Sequence, residues 1–497
     1  IERHEILRTI FKENESDEIR QWVKPIEKNS LVFHNLMDED ATEEKVKQYI
    51  QAEIQKPFDL KEGPLLRMTL LRLQNDKYLF IYVIHHIISD GWSMGVIIRD
   101  LLALYNAYIN NQKNPLKPLR IQFKDYATHQ QEQLSNIKTS EHKNYWLKQF
   151  EGEIPILEIP TDKIRPAIKT YNGSAIPVVL DRSLTKDLKG LNRQTGSTLY
   201  MGLVASVISL LYKYTNQEDI ILGCPIAGRE SSDLEDQIGF YINTLALRNK
   251  FNGDNTFIEL LNNVKTTTLD AYEHQAYPFD KLIDDLRLRR DTSRSTLFDV
   301  MVVLQNADVK NNETVRQNFE NIETSEVSLD EYVVPKFDIT FNFIEAGDEI
   351  KLTLEYNSDL FNTHTIECIG KNLIQIIQNI ILDPNKTLKK LEYLCEDEKT
   401  FLVDGLNDTK ADYPSNKTLI NLFEEQAEKN ADKISIVYKE KEFTYCELNK
   451  QANQFAAYLS KNYKIKPNDL IVVKLEKSEW MVISLLAILK AGGAYIP

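Results

Sequence analysis

Cysteine is scarce in this chain of 497 residues: Cys224, Cys368, Cys395 and Cys446 stand far apart and form no CxxC pair. That spacing excludes a disulfide scaffold and a zinc ribbon, and reduced thiols in a cytoplasmic protein are the expected state. Long apolar runs are missing too. No stretch reaches the roughly 18 residues that a membrane helix needs, so no membrane partner is expected. Basic charge is in deficit, with a net charge of −14, which disfavours a nucleic-acid surface. Internal repeats and low-complexity tracts are absent, and clusters such as Asp38-Glu39-Asp40 read as loops or solvated helix faces. The opening stretch IERHEILRTIF mixes charges with apolar residues and does not read as a signal peptide.

What is present fits globular domains: 42% hydrophobic and 27% charged residues. The length allows roughly three cores of about 150 residues each. Up to about Glu158, strand patterns (Leu65 to Leu73, Tyr78 to Ile84) alternate with helical ones (Glu43 to Gln55, Ser93 to Tyr108, Glu141 to Glu151). A stretch carrying Pro155, Pro160 and Pro166 then suits an ordered linker. Strand and helix patterns resume at Ile176 and end with a helix from Thr363 to Ile381. Asp383-Pro384 breaks the chain, and a polar connector leads to a last α/β segment from Thr418 to Pro497. The expected fold class is α/β.

One segment concentrates the chemistry. Ile84 to Met94, IHHIISDGWSM, closes the apolar strand Tyr78 to Ile84 and opens a helix with Ser93 as its expected N-cap. Such a strand-to-helix connection is a common seat for catalytic groups. Neighbouring side chains on a strand point to opposite faces, so His85 and His86 diverge. One is expected to pack inward while the other looks into a cleft. The divergence also disfavours zinc, which a helical pair spaced as in HExxH would hold, and no metal is expected. Asp90 on the turn can reach a backbone amide, a histidine or an arginine, and Gly91 permits a positive φ or a close backbone approach to a substrate. By spacing alone, such a histidine pair is more often structural than catalytic.

The motif does not stand by itself. HHIISDG resembles the HHxxxDG motif of nonribosomal peptide synthetase condensation domains, which belong to the chloramphenicol acetyltransferase-like superfamily. RHEILRTIF (Arg3 to Phe11) is similar to the family's second motif, FKDYATHQ (Phe123 to Gln130) to the fourth and IGFYINTLALR (Ile238 to Arg248) to the fifth. HQAYPFDKL (His274 to Leu282) and RDTSRSTL (Arg290 to Leu297) resemble the sixth and seventh. FTYCEL (Phe443 to Leu448) and LKAGGAYIP (Leu489 to Pro497) resemble the first motif and the start of the second motif of adenylation domains. The family's first condensation motif is expected upstream of Ile1, leaving the first strand and helix of that fold missing here. No phosphate-binding loop follows, so this piece of an adenylation domain is expected to bind no ATP.

The resemblance implies two acetyltransferase-like lobes in a V, residues 1–165 and 166–385, then a linker, 386–416, and a truncated adenylation N-terminus, 417–497. It also implies peptide-bond formation between two thioesters carried on phosphopantetheine arms, with no cofactor bound by this chain. Upstream and downstream carrier domains and the rest of the adenylation domain in cis are the implied partners. His86 is implied as the group that holds or deprotonates the attacking amine, and Asp90 and Gly91 complete the catalytic set. Asp90 is expected to pair with Arg3 or Arg8, its rival role being to orient His86. His85, Arg3, Arg8 and Arg290 are read as supporting residues, with RDTSRSTL as a charged brace. Asn243, Trp92 and Ser93 are candidates for the substrate tunnel, with strand capping or packing as the plain alternative for Asn243 and Trp92. The SDGWS form resembles domains that join two L-residues. Epimerization domains of the same fold and non-catalytic docking platforms are the competing readings.

Overall fold

A computed structural model describes residues 1–26, 31–37, 43–134, 137–288, 291–305, 322–325 and 333–497. The chain divides into two compact units, Ile1–Phe401 and Leu402–Pro497.

The first unit opens with an antiparallel hairpin of β1 (Thr9–Glu13) and β2 (Ile19–Val23). A three-stranded sheet follows, built from β3 (Leu31–Asn35), β4 (Leu66–Arg72) and β5 (Tyr78–Ile84), with helix α1 (Glu43–Gln55) between β3 and β4. Strands β3 and β4 run parallel, and β4 and β5 antiparallel. Helices α2 (Gly91–Ile109), α3 (Phe123–Leu134) and α4 (Ile137–Gln149) come next. The chain then builds a mixed six-stranded sheet in the order β6-β11-β10-β9-β7-β8. Its strands are β6 (Gly173–Leu180), β7 (Asp219–Ile226), β8 (Asn243–Lys250), β9 (Val300–Gln305), β10 (Ile339–Ala346) and β11 (Glu349–Asn357). Helices α5 (Arg182–Gln194), α6 (Leu199–Thr215), the short α7 (Ser232–Glu235), α8 (Phe257–Glu273), α9 (Phe279–Leu286) and α10 (Thr363–Leu382) fill the connections.

Helix α6 is the pivot of this half. Its residues are apolar on every side, and Met201 to Tyr212 are buried without a break. A helix of that composition belongs inside a core rather than on its surface. Leu203, Val207 and Ile208 share one cluster with Leu260 and Val264 of α8, Leu373 and Ile377 of α10, and Phe341, Phe343 and Leu354 of the sheet. Thr198 caps its start by accepting from Met201 N, and Asn216 ends it in the left-handed region at φ 56°, which asparagine tolerates better than most residues. A second apolar cluster joins Ile6, Leu7, Leu65, Ile88, Val96, Phe123 and Tyr241. That cluster fixes the strand-to-helix turn after β5.

The proline-bearing stretch from Glu153 to Asn172 is held by the charged loop that begins at Asp291. Arg294 donates to Asp299 Oδ2 (2.9 Å) and to Leu157 O (3.2 Å), while Lys169 N donates to Thr292 O (2.8 Å). Arg165 pairs with the buried Asp338. Arg290 lies outside the described residues.

The second unit starts with α11 (Leu419–Lys429), followed by the hairpin β12 (Ile434–Tyr438) and β13 (Lys441–Thr444), then α12 (Tyr445–Tyr463). Strands β14 (Leu470–Val472) and β15 (Ala494–Ile496) pair in parallel across α13 (Glu479–Lys490), as a βαβ crossover requires. Among the described residues no single helix is long and apolar enough to cross a membrane.

Leu203→Ala in α6 is expected to cost about 2–5 kcal/mol, because a fully buried side chain is removed from a packed helix. The exposed control Lys186→Ala should stay within about 0.5 kcal/mol. Urea midpoints of both variants check this.

Candidate active site

Strand β5 delivers the two histidines and α2 begins five residues later. His85 N donates to Leu65 O (2.9 Å), so the turn is still laced to the strand next door. The His85 ring faces Phe58 edge-on, and its Nδ1 accepts from Ile87 N (3.0 Å). Burial first, and the neighbouring His86 second, push the His85 pKa down. This ring is a neutral part of the turn.

His86 has different neighbours and is exposed. Its Nδ1 lies 2.7 Å from Ser89 O. A carbonyl only accepts, so Nδ1 carries the proton and Nε2 keeps its lone pair. Among the described residues no protein group bonds that Nε2. The ring also meets Phe240 edge-to-face, with centroids 5.2 Å apart and planes at 72°.

Asp90 is buried and caps α2, accepting from Ser93 N (2.8 Å) and Ser93 Oγ (2.7 Å). Its second oxygen accepts from Tyr241 N at 3.0 Å. The cation beside it is Arg229, at 3.1 Å, with only 2% of its side chain exposed. Arg229 also donates to Gln237 O (2.8 Å), Leu234 O and Ser93 Oγ (3.1 Å), and stacks over Tyr241 at 4.2 Å. Burial lowers its pKa while Asp90 opposes that shift. Gly228 makes the placement of Arg229 feasible: it sits at φ +64°, and a Cβ there would fall 2.0 Å from Tyr241 O. Ser93, fully buried, closes the network by bonding both the N (3.1 Å) and the O (3.0 Å) of Gly239.

A cavity of about 1020 Å³ has Phe240 in its wall and does not lie over His86. Tyr126, His129, Asn243, Thr244 and Asp280 are among its walls. His86 is not a wall residue; Phe240, which touches both, joins cavity and imidazole. Asn243 lines this space, yet its side chain is spent on structure. It donates to Gln275 O (2.9 Å) and Tyr277 O (3.0 Å) and accepts from Thr244 N (2.8 Å) and Phe279 N (3.1 Å).

The condensation domain family model matches residues 1–403, and the AMP-binding enzyme model matches 423–497. The chain belongs to the condensation-domain family. Over its full length it is 38% identical both to bacitracin synthase 3 of Bacillus licheniformis and to gramicidin S synthase 2 of Brevibacillus brevis. It spans 8% and 11% of those proteins. A holo four-domain nonribosomal peptide synthetase bound to AMP and glycine superposes with a TM-score of 0.81 at 22% identity, covering all of this chain and 37% of that one. The X-domain from teicoplanin biosynthesis gives 0.69 at 24%, covering 79% of this chain and 87% of its own.

In this condensation domain several sequence expectations change. Asp90 does not pair with Arg3 or Arg8. Arg3 bonds Asp100 (2.5 Å) and Lys117 O (3.0 Å), and Arg8 bonds Lys24 O (2.5 Å). Asp100 stands ten residues further along α2, about 15 Å away at the helical rise, which puts Arg3 out of reach of Asp90, while Arg8 also pairs with Glu5. Nor does Asp90 orient His86; the Ser89 carbonyl does. Asp90, not Ser93, is the N-cap, and Ser93 is sealed away from any tunnel. Trp92 donates from Nε1 to Glu235 O (2.9 Å), a packing contact. Gly91 is the first residue of α2 and lacks a positive φ; a Cβ there would meet nothing within 4 Å. Arg229 and Phe240 escape a reading from sequence. The glycine-arginine pair just after a buried strand is the available signal for the first.

Two expectations follow. Asp90→Asn leaves the Arg229 charge buried without its partner and should cost about 3–5 kcal/mol by urea unfolding. In pH, His85 and His274 have depressed pKa values, both chiefly through burial. Below the ordinary histidine value of about 6.5 the unfolded chain therefore binds more protons than the folded one. Their stabilisation is complete above that pH and is lost as pH falls through the depressed values. The melting temperature should fall on acidification from pH 7 to pH 5, and a double His85→Asn, His274→Gln variant should fall less steeply.

Proposed function

We propose that this domain forms peptide bonds in nonribosomal synthesis. An acyl or peptidyl group leaves the thioester of an upstream carrier domain for the α-amine of an aminoacyl thioester on a downstream carrier domain. Both substrates arrive on phosphopantetheine arms, and the chain itself holds no cofactor. In this reading residues 1–165 and 166–385 act as two lobes in a V with His86 between them. The adenylation domain that begins downstream loads the acceptor carrier, in the cytoplasm.

The observation that carries the proposal is the fixed imidazole of His86. A thioester is already activated, and an α-amine is substantially neutral near its usual pKa of about 7.7–8.0. What remains is to hold that amine against the carbonyl carbon and to receive its proton. The Nε2 lone pair of His86 accepts a hydrogen bond from the amine N–H. Nitrogen attacks the carbonyl, the tetrahedral adduct collapses, and the upstream pantetheine thiolate leaves with the proton. Among the described residues no carboxylate touches His86, so an imidazolium would lack the support a triad aspartate gives. That favours an amine-holding His86 over one that stores a full charge. Tethering both reactants supplies a share of the roughly 7–11 kcal/mol that orientation can contribute. The SDGWS form supports an L-donor and an L-acceptor.

His86→Ala in the intact module, with both carriers loaded, should lower dipeptidyl-thioester formation by about 10²–10⁴ while the melting temperature holds. L-donors should outrun their D-epimers. Near-wild-type turnover by the alanine variant would refute the role given to His86. Epimer exchange without any dipeptide would identify an epimerization domain.

A further inference from the structure

We propose that Phe240 is a specificity-determining residue: it partitions the 1020 Å³ cavity from the His86 imidazole and limits the size of the group that passes between them. This rests on the peptide-bond reading above. Phe240 is a large apolar side chain left 42% exposed beside the catalytic ring. Its contact with His86, 5.2 Å and 72°, is the favoured edge-to-face geometry. The backbone on either side cannot retreat. Gly239 is bonded through both N and O to the buried Ser93, and Tyr241 N is bonded to Asp90. A Cβ on Gly239 would lie 2.3 Å from the Phe123 ring, so the segment is also packed hard against α3.

With its backbone bolted down, Phe240 can yield only by turning its side chain. A group travelling from the cavity to Nε2 meets that ring before it meets His86. The cavity is at the upper end of the roughly 300–1,000 Å³ usual for small-ligand sites, which suits an extended peptidyl or acyl chain. Polar walls such as His129, Thr244 and Asp280 fit its amides. The residue nearest the reacting carbonyl then lies against Phe240. Shortening the side chain opens the passage and favours bulkier groups there.

The test uses the complete module with both carriers. Donor and acceptor thioesters bearing alanyl, phenylalanyl and 2-naphthylalanyl groups are compared in wild type, Phe240→Leu, Phe240→Ala and Phe240→Tyr. We expect the naphthylalanyl-to-alanyl ratio of kcat/KM to rise at least about tenfold in Phe240→Ala. Phe240→Leu should be intermediate and Phe240→Tyr unchanged, with the shift confined to the donor series; a shift confined to the acceptor series would overturn the proposal. A uniform loss across all substrates, in the leucine variant as well as the alanine one, would make Phe240 a merely structural support and overturn the proposal. Equal shifts in both series would also overturn it, because the cavity would then not belong to one reactant. If wild type forms no dipeptide from any pair, the peptide-bond reading fails and this inference with it. An active wild type with size-blind variants removes only the role of Phe240.

Discussion

A buried ion pair between Asp90 and Arg229 carries this site. Two opposite charges, each nearly sealed from water, are stable only with good geometry and further hydrogen bonds. Both conditions are met. Asp90 accepts from the amide and the hydroxyl of Ser93 in the first turn of α2 and also from Tyr241 N. Arg229 caps the carbonyls of Leu234 and Gln237. The pair joins residues 139 positions apart in sequence, so the segment Ile238 to Asn243 is fastened to the start of α2. Without it, the Phe240 segment and the start of α2 lose a charged tie that holds one against the other.

From that constraint the chemistry follows. The helix start places Ser89 so that its carbonyl accepts a hydrogen bond from Nδ1–H of His86. Tautomer and ring direction are thereby set by backbone, not by a carboxylate. The aspartate of the motif works one step removed, as the bolt beneath the turn. His85 completes the turn from the other side by accepting from Ile87 N, and its lowered pKa keeps it neutral.

Much of this is legible in the sequence. The strand into HHIISDG, the helix after it and the divergence of the two histidines all follow from side-chain alternation and helical spacing. What escapes has a common cause. Arg229, Phe240 and the Asn243 bonds are long-range contacts, and periodicity carries no record of which distant loop folds onto a turn. Arg3 and Arg8 look like partners for Asp90 because they are the charged residues of a neighbouring motif, yet Arg3 pairs with Asp100 and Arg8 with Glu5 and Lys24 O. Ser93 looks like the cap because serine favours that position. Asp90, three residues earlier, has the stronger claim once Arg229 is there to neutralise it. The hairpin β1–β2 escapes because its exposed residues alternate too weakly to mark a strand.

The most direct test is the tautomer of His86. In ¹⁵N-labelled protein near pH 7.5, with the signal assigned through His86→Gln, the ring nitrogens report which one bears hydrogen. A protonated Nδ1 and a bare Nε2 are predicted, and binding of an acceptor aminoacyl pantetheine should shift the Nε2 resonance alone. A proton found on Nε2 would leave no lone pair for the amine and would contradict the account.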